Sequence, residues 1–222
     1  MEHVVIKVSA YRWVPPFARG LVRDLRVRWA LEEAGLAYET RLLGPGEQTT
    51  PTYRALQPFG QVPTYEEDGL ALFESGAIVL HIAQRSPTLM PTDANGRARM
   101  TTWMFAALNS IEPHIANVVT LEVFHASEEW AKQRRPALLE VAQKRLTALS
   151  NWLDGRDYLE DRFTAADLLM TTVLRIAQRA RLTAEMPILE TYRLRCEARP
   201  AFQQALASQM ADFSEEPQPA AS

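Results

Sequence analysis

The residues whose types and spacing could do chemistry lie in two short segments separated by a predicted hairpin. The first ends in Val62-Pro63 and the second is Glu74-Ser75. Pro63 stands at the start of a predicted strand, where its missing N–H removes one hydrogen bond of the sheet. A cis Val62–Pro63 bond explains this placement, since X–Pro bonds adopt cis at only ~0.5–1 kcal/mol. The Val62 N–H and C=O then turn outward and can pair with an extended, peptide-like ligand. An ordinary trans proline is the alternative.

The second segment joins a predicted strand to a predicted helix. As N-cap, Ser75 offers its oxygen to the amides of the first turn. The same amides and the helix dipole attract a carboxylate, and Glu74 can pair with a ligand ammonium group. A plain helix cap is the alternative. Taken together, the two segments predict one site for a small, peptide-like anion.

The composition limits the class of protein. The chain has 222 residues and a formal net charge of −3, with Lys and Arg scattered among Asp and Glu. This pattern argues against a nucleic-acid or membrane-surface partner. The single cysteine, Cys196, excludes an intramolecular disulfide and fits a reducing compartment. No secretory signal is visible, and no apolar run approaches the ~20 residues of a membrane span. We therefore expect a soluble, cytoplasmic protein.

The first half of the sequence alternates strand and helix patterns. The β-branched, apolar run from Val4 to Ala10 predicts a strand, and apolar residues at helical spacing predict a helix from Leu21 to Ala34. Asp68-Gly69 favours a tight hairpin turn. Further strands are predicted at 38–43, 63–66 and 70–73, a short helix or turn at 51–56, and a helix from Ser75 to about Gln84. This order predicts a mixed four-stranded sheet with helices on its faces, over residues 1–85.

The second half shows helical patterns only. Residues 86–93 are polar, contain two prolines and predict a linker. An all-helical domain is predicted over 94–214 and a flexible tail over 215–222. The expected helices are 97–125 with a kink at Pro113, 128–153 with an interruption at Pro136, 165–181, 188–198 and 201–211.

Several motifs, in this order, resemble the glutathione transferase superfamily. Residues 58–63 and 73–78 resemble its proline loop and the start of the helix that follows. Phe163-Thr164-Ala165-Ala166-Asp167 resembles its buried capping box, in which Thr164 and Asp167 exchange hydrogen bonds and Phe163 packs as a staple. Residues 29–36 and 199–202 resemble the family as well. The resemblance covers roughly residues 4 to 210.

The resemblance implies an α/β thioredoxin-like N-terminal domain, an all-α C-terminal domain and a homodimer. It also implies a site for glutathione as co-substrate. Val62, before a cis Pro63, would pair with the cysteinyl backbone, Glu74 and Ser75 would hold the γ-glutamyl end, and Gln61 lies beside them.

The activity implied by the resemblance is that of a detoxifying glutathione transferase, which directs the glutathione thiolate at a hydrophobic electrophile or a peroxide. A glutathione-dependent isomerase or dehalogenase uses the same site and is one alternative. A non-catalytic glutathione-binding protein is the other.

The segment that should activate the thiol departs from the family's pattern. Leu21 and Val22 fall near the position of the usual Ser or Cys, and neither side chain can donate a hydrogen bond. A free thiol has a pKa of about 8.5, so its activation needs another group. Tyr11, at the end of the first strand, can donate to a thiolate, and Arg19 can stabilise one by charge. The alternatives are a packing role for Tyr11 and a solvated loop charge for Arg19.

Aromatic side chains are the candidates for the second-substrate pocket. They are Trp13 and Phe17 in the loop before the first helix, and Phe105 on the first long helix of the second half. Core packing is the alternative for each. The four histidines are isolated in sequence, so no metal site is expected.

Overall fold

The computed structural model describes residues 5–214, which form two units. The first consists of residues 5–90 together with 199–214, and the second is Pro91–Ala198. The predicted division places residues 199–214 in the helical domain, whereas by contact they belong to the first unit. His3, Val4 and the predicted tail 215–222 lie outside the described residues.

The elements of both units are named here in chain order. The strands are β1 Ile6–Tyr11, β2 Tyr38–Leu43, β3 Thr64–Glu67 and β4 Leu70–Phe73. The helices are α1 Asp24–Ala34, α2 Pro51–Arg54, α3 Ser75–Ala83, α4 Ala94–Phe105, α5 Glu112–Phe124, α6 Glu129–Leu153, α7 Ala165–Arg179, α8 Pro187–Glu197 and α9 Pro200–Asp212. The predicted fold class is thereby confirmed.

The strands form one mixed sheet in the order β2-β1-β3-β4. Strand β1 runs parallel to β2 and antiparallel to β3, and β3 and β4 form a hairpin. The turn residues Asp68 and Gly69 both have positive φ, +48° and +77°, as the predicted tight turn requires. Helices α1 and α3 contribute buried apolar residues to the core of this unit, among them Val27, Leu31, Ile78 and Ile82.

Helix α9 packs against α1. The rings of Trp29 and Phe202 meet edge to face with centroids 4.8 Å apart, and Arg199 Nη2 donates to Glu33 Oε2 at 2.8 Å. Helix α1 begins at Asp24 rather than at the predicted Leu21. The residues before it therefore belong to a loop, and this lengthens the connection from β1.

The second unit is helical throughout its regular elements. The predicted capping box of α7 is present, with the Thr164 N–H donating to Asp167 Oδ2 at 2.9 Å. The predicted kink near Pro113 takes the form of a π-helical segment, Ala106–Ile111, between α4 and α5. The interruption predicted at Pro136 is wrong, since α6 continues through it. The carbonyl that loses its partner there is that of Lys132, an exposed residue, so water can replace the missing bond.

Candidate functional site

The Val62–Pro63 peptide bond is cis, as predicted. Val62 is only 7% exposed, yet within residues 5–214 its N–H and C=O make no backbone hydrogen bond. Backbone polar groups of buried residues are nearly always paired. Val62 therefore presents a donor and an acceptor that suit an extended peptide.

A chain of buried hydrogen bonds fixes the backbone on both sides of this cis bond. The Tyr53 hydroxyl donates to the carbonyl of Gln61 at 2.7 Å. Its hydrogen is then used, so the 2.8 Å contact between Ser9 Oγ and the Tyr53 hydroxyl has Ser9 as donor. Ser9 Oγ in turn accepts from the Thr64 N–H at 2.6 Å and from the Thr64 hydroxyl at 2.9 Å. Each hydroxyl in the chain is satisfied, and none carries a formal charge.

The N-terminus of α3 lacks a side-chain cap. The predicted role of Ser75 as N-cap is wrong, because Glu74 occupies that position and makes no capping bond. Ser75 is the first helical residue, and its hydroxyl accepts from Arg26 Nη1 at 3.2 Å. The first intrahelical bond runs from the Ile78 N–H to the Glu74 carbonyl. The preceding amides are thus available to an anion, which the positive end of the helix dipole also attracts.

Glu74 has an unusual backbone conformation, with φ +67° and ψ 110°. A non-glycine residue rarely adopts positive φ, and such strain is concentrated at ligand sites. The Glu74 side chain is exposed and forms no hydrogen bond or ion pair within the described residues. Its carboxylate is therefore available to a cationic group.

These residues line one small, open cleft. The cleft contains the five residues predicted to bind the ligand, namely Gln61, Val62, Pro63, Glu74 and Ser75. We call them the ligand edge. Arg23 and Gln57 also line the cleft, and sequence reasoning missed both. Gln57 is buried and its Oε1 accepts from the Phe59 N–H at 2.6 Å.

Arg23 was missed because of the boundary of α1. A helix that starts at Leu21 places Arg23 in its first turn, among the polar residues of an amphipathic helix. In the structure Arg23 is the N-cap residue of α1. Gly20, which has φ +76°, lies before the predicted helix, so the sequence gives no local signal of the later start.

Tyr11 lies beside the ligand edge. It packs, together with Val22, on a buried cluster of Leu43, Tyr53 and Val62. Burial, and to a lesser extent the nearby Tyr53, raises the pKa of Tyr11 above its usual value. The phenol is therefore protonated throughout the neutral range and is able to donate a hydrogen bond.

The structure does not place Arg19 in the lining of the cleft. Its Nη2 donates to the carbonyl of Ser214 at 2.9 Å, and its guanidinium carbon lies 5.7 Å from the centroid of the Phe213 ring. Arg19 thus contacts the residues that follow α9, and its predicted role at a thiolate stays a prediction.

The three aromatic candidates for a second pocket occupy different positions. Trp13 is half-buried, and Phe17 is 42% exposed in a short helical turn before α1. Phe105 ends α4 in the other unit and is 60% exposed. Their role in substrate binding stays a prediction.

Residues 5–214 contain no cluster of three or more His, Cys, Asp and Glu residues suited to a metal ion. In the same range, no helix has both the length and the apolarity needed to cross a membrane.

Comparison with known families gives a consistent result for both units. The model of the glutathione S-transferase N-terminal domain matches residues 18–84, and that of the glutathione S-transferase C-terminal domain matches residues 108–200. The first match includes the whole ligand edge, and the second includes the capping box of α7.

Individual relatives agree with the family models. Disulfide-bond oxidoreductase YfcG of Escherichia coli (strain K12) is 29% identical over 192 residues, which cover 79% of this chain and 86% of the relative. Glutathione S-transferase F10 of Arabidopsis thaliana is 31% identical over 152 residues, covering 62% of this chain and 68% of the relative. A crystal structure of a glutathione transferase from Burkholderia graminis, with two glutathione molecules bound per subunit, has a TM-score of 0.80 at 26% identity and covers 92% of this chain and 88% of that one. The chain belongs to the glutathione S-transferase family.

Proposed function

We propose that this protein binds glutathione at the ligand edge and uses its thiolate in catalysis. The observation that carries the proposal is the buried Val62 backbone, whose N–H and C=O are unpaired within the described residues next to an uncapped helix N-terminus. Few ligands can use both features at once. An extended peptide that ends in a charged amino acid group can, because its backbone pairs with Val62 and its charged end lies at the start of α3.

Glutathione fits the ligand edge group by group. Its cysteinyl N–H and C=O pair with the Val62 backbone, as an added strand pairs with a sheet edge. Its γ-glutamyl carboxylate lies against the first amides of α3 and the Ser75 hydroxyl, where the helix dipole favours negative charge. The α-ammonium group pairs with the Glu74 carboxylate, which has no partner within residues 5–214.

The chemical step needs a thiolate, and Tyr11 is our candidate for stabilising it. Its phenol remains a donor at neutral pH, because the usual pKa of a tyrosine, about 10, lies well above neutrality and burial raises the pKa of Tyr11 further. With an aryl halide, the thiolate forms a C–S bond and halide leaves. With a hydroperoxide, two glutathione molecules reduce the O–O bond to an alcohol and water and are oxidised to glutathione disulfide.

Thiol–disulfide exchange is a second candidate function. One relative is named a disulfide-bond oxidoreductase. The single cysteine here, Cys196, is buried in α8 of the second unit, so we infer that the reacting sulfur atoms come from glutathione. Two glutathione thiols would then reduce one disulfide, giving glutathione disulfide and two thiols.

Two expectations accompany the proposed function. We propose a homodimer, to be tested by sedimentation equilibrium, and a cytoplasmic location, to be tested by cell fractionation. A non-catalytic binding protein is the alternative, to be distinguished by turnover.

Isothermal titration calorimetry tests glutathione binding, with cysteinylglycine as the matched probe that lacks the γ-glutamyl group. We expect heat with glutathione and at least tenfold weaker binding of cysteinylglycine, because the bonds to charged groups are lost. Equal binding of the two contradicts the assignment of the γ-glutamyl end. No binding of millimolar glutathione overturns the proposed function.

Initial rates with glutathione and an aryl halide, a hydroperoxide or an alkyl disulfide then test catalysis and separate the two reactions. Binding without turnover of any of the three would support the non-catalytic alternative.

A further inference from the structure

The last described residues of the chain contact both ends of the loop between β1 and α1. We call this loop, residues 12–23, the approach loop. At its start, the Ser214 N–H donates to the Arg12 carbonyl at 2.9 Å. At its end, Gln209 Nε2 donates to the Val22 carbonyl at 3.1 Å. Residues almost two hundred positions away therefore hold the loop at both ends.

Gln209 binds the residues on either side of Arg23, which lines the cleft. Gln209 is 1% exposed, and its Nε2 also donates to Asp24 Oδ1 at 2.8 Å. Its two acceptors thus belong to Val22 and Asp24, the residues on either side of Arg23. Arg23 lines the cleft, so Gln209 fixes the backbone from which that cation extends.

The middle of the approach loop is held by the residues after α9. Arg19 Nη2 donates to the Ser214 carbonyl, and the Arg19 guanidinium lies over the Phe213 ring. A cation close to an aromatic face gains electrostatic stabilisation. Gln209, Phe213 and Ser214, which we call the C-terminal clamp, therefore contact the loop at its start, middle and end.

A buried ion network between α1 and α9 adjoins the C-terminal clamp. Arg28 Nε lies 2.8 Å from Asp24 Oδ2, and Arg28 Nη2 lies 2.6 Å from Asp212 Oδ2. Arg28 Nη1 also donates to Ser208 Oγ at 2.9 Å. Asp24 accepts from both Arg28 and Gln209, so the network and the clamp meet at the first residue of α1.

We propose that the C-terminal clamp is a positioning device for the glutathione cleft, with Gln209 acting through Arg23. The clamp orders the approach loop before the ligand arrives and places Arg23 where it meets an anionic peptide. Preorganisation of this kind reduces the entropy lost on binding. The inference rests on the proposed function for its ligand, and its effect on the loop is measurable without a ligand.

The first experiment is a double-mutant cycle on glutathione affinity with Gln209→Met and Arg23→Ala. Gln209 Oε1 accepts no hydrogen bond within the described residues, so methionine removes only the two donated bonds at similar volume. We expect Gln209→Met to weaken binding about three- to tenfold, the range for one or two lost hydrogen bonds. In the Arg23→Ala background the same change should have little further effect.

Ser208→Ala is the matched control on the same helix. It removes a hydrogen bond to Arg28 but touches no residue of the approach loop in the contacts above, so we expect lower stability with unchanged glutathione affinity. If Gln209→Met weakens binding equally in both backgrounds, or no more than Ser208→Ala does, Gln209 does not act through Arg23.

The second experiment compares two shortened chains, one ending at Ser214 and one ending at Asp212. Only the shorter chain loses the bonds to Arg12 and Arg19. Hydrogen–deuterium exchange of the approach-loop amides, without ligand, should be faster in that chain by at least tenfold and unchanged in the longer one. Equal exchange in both chains overturns the clamp.

The two experiments separate the inference from the function on which it rests. If the wild-type chain does not bind glutathione, the proposed function fails, while the exchange data still decide whether the clamp orders the loop. If the wild-type chain binds glutathione and Gln209→Met binds it equally well, the positioning role fails alone.

Discussion

The ligand edge and the approach loop border the same cleft but are held in different ways. Neutral hydrogen bonds from Ser9, Tyr53 and Thr64 fix the ligand edge, and these residues belong to the adjacent strands and a short helix. The approach loop is held by Gln209 and by Phe213 and Ser214 after α9, and an ion network between α1 and α9 adjoins it. The backbone beside Val62 is therefore held by neutral hydrogen bonds from the sheet and α2, whereas the approach loop is held by charged groups and by residues of and after α9.

The largest effect is expected on the charged side. Arg28 is fully buried, and Arg28→Met leaves the Asp24 carboxylate without its cation. Removing one partner of a buried pair costs about 3–5 kcal/mol in the free energy of unfolding, to be measured in urea. The double variant Arg28→Met, Asp24→Asn removes the stranded charge and should recover part of the loss. If Arg28→Met lowers the free energy of unfolding by less than about 1 kcal/mol, as for a surface pair, the ion network does not stabilise this side of the cleft.

The next effect concerns recognition at the ligand edge. Glu74→Gln keeps the side-chain shape but removes the charge that pairs with the ligand ammonium group. We expect glutathione affinity to fall roughly ten- to a hundredfold, as for loss of a hydrogen bond to a charged group. Asp68→Asn, at a positive φ that asparagine tolerates, is the control with the same charge change on the nearby hairpin. Equal calorimetric affinities for Glu74→Gln and wild type would remove Glu74 from the site.

The neutral hydrogen-bond chain gives the third prediction. Tyr53→Phe leaves the Gln61 carbonyl and the Ser9 hydroxyl each without one partner, which costs about 2 kcal/mol in thermal or urea unfolding. It should also weaken glutathione binding, because the backbone beside Val62 is freed. Tyr38→Phe is the matched control, since the Tyr38 hydroxyl makes only long contacts of 3.3 and 3.5 Å. Equal losses in the two variants would contradict the role of the chain.

A smaller effect is expected on the thiol. Burial raises the pKa of Tyr11, so its phenol can donate to a thiolate at every pH at which the thiol titrates. Tyr11→Phe should raise the pKa of the bound glutathione thiol by about one unit, a tenfold change in ionisation. Thiolate absorbance of the complex measures it, while calorimetric affinity should change little. An unchanged thiol pKa would leave the first amides of α1 as the better candidates.

The smallest effect is electrostatic and lies in the strand that follows Pro63. Burial opposes ionisation of Glu67, but hydrogen bonds from Tyr65 and Arg85 outweigh it and lower the pKa of Glu67. A lowered pKa in the folded state adds stability above the unfolded-state value of about 4.3, and that stability is lost as the pH falls through the folded value. The pair is partly exposed, so we expect about 0.5 kcal/mol. This loss of about 0.5 kcal/mol should appear when urea unfolding of the wild type is measured from pH 6 to 3, and it should be absent in Glu67→Gln.

The ligand edge could be predicted from the sequence because its determinants are local. A proline at a strand start makes a cis bond accessible, and Asp68-Gly69 accounts for the hairpin. The role of Ser75 was harder, since serine at a helix start normally caps it. Here Arg26, on another helix, donates a hydrogen bond to the Ser75 hydroxyl instead. The local sequence pattern does not contain that contact.

The approach loop could not be predicted because its determinants are distant. The apolar spacing extends back to Leu21, whereas α1 begins at Asp24, after a turn in which the Val22 carbonyl accepts from the distant Gln209. Arg19 illustrates the same limit. Its charge near a helix N-terminus indicated a thiolate, and the local sequence gives no sign of its contact with the Ser214 carbonyl.

A crystal structure of the protein with glutathione bound would show whether the ligand edge holds the tripeptide. The account predicts the cysteinyl N–H and C=O within about 2.7–3.2 Å of the Val62 backbone, and the α-ammonium group at the same distance from the Glu74 carboxylate. Glutathione bound elsewhere, or bound with its γ-glutamyl end away from Glu74 and the start of α3, would contradict it.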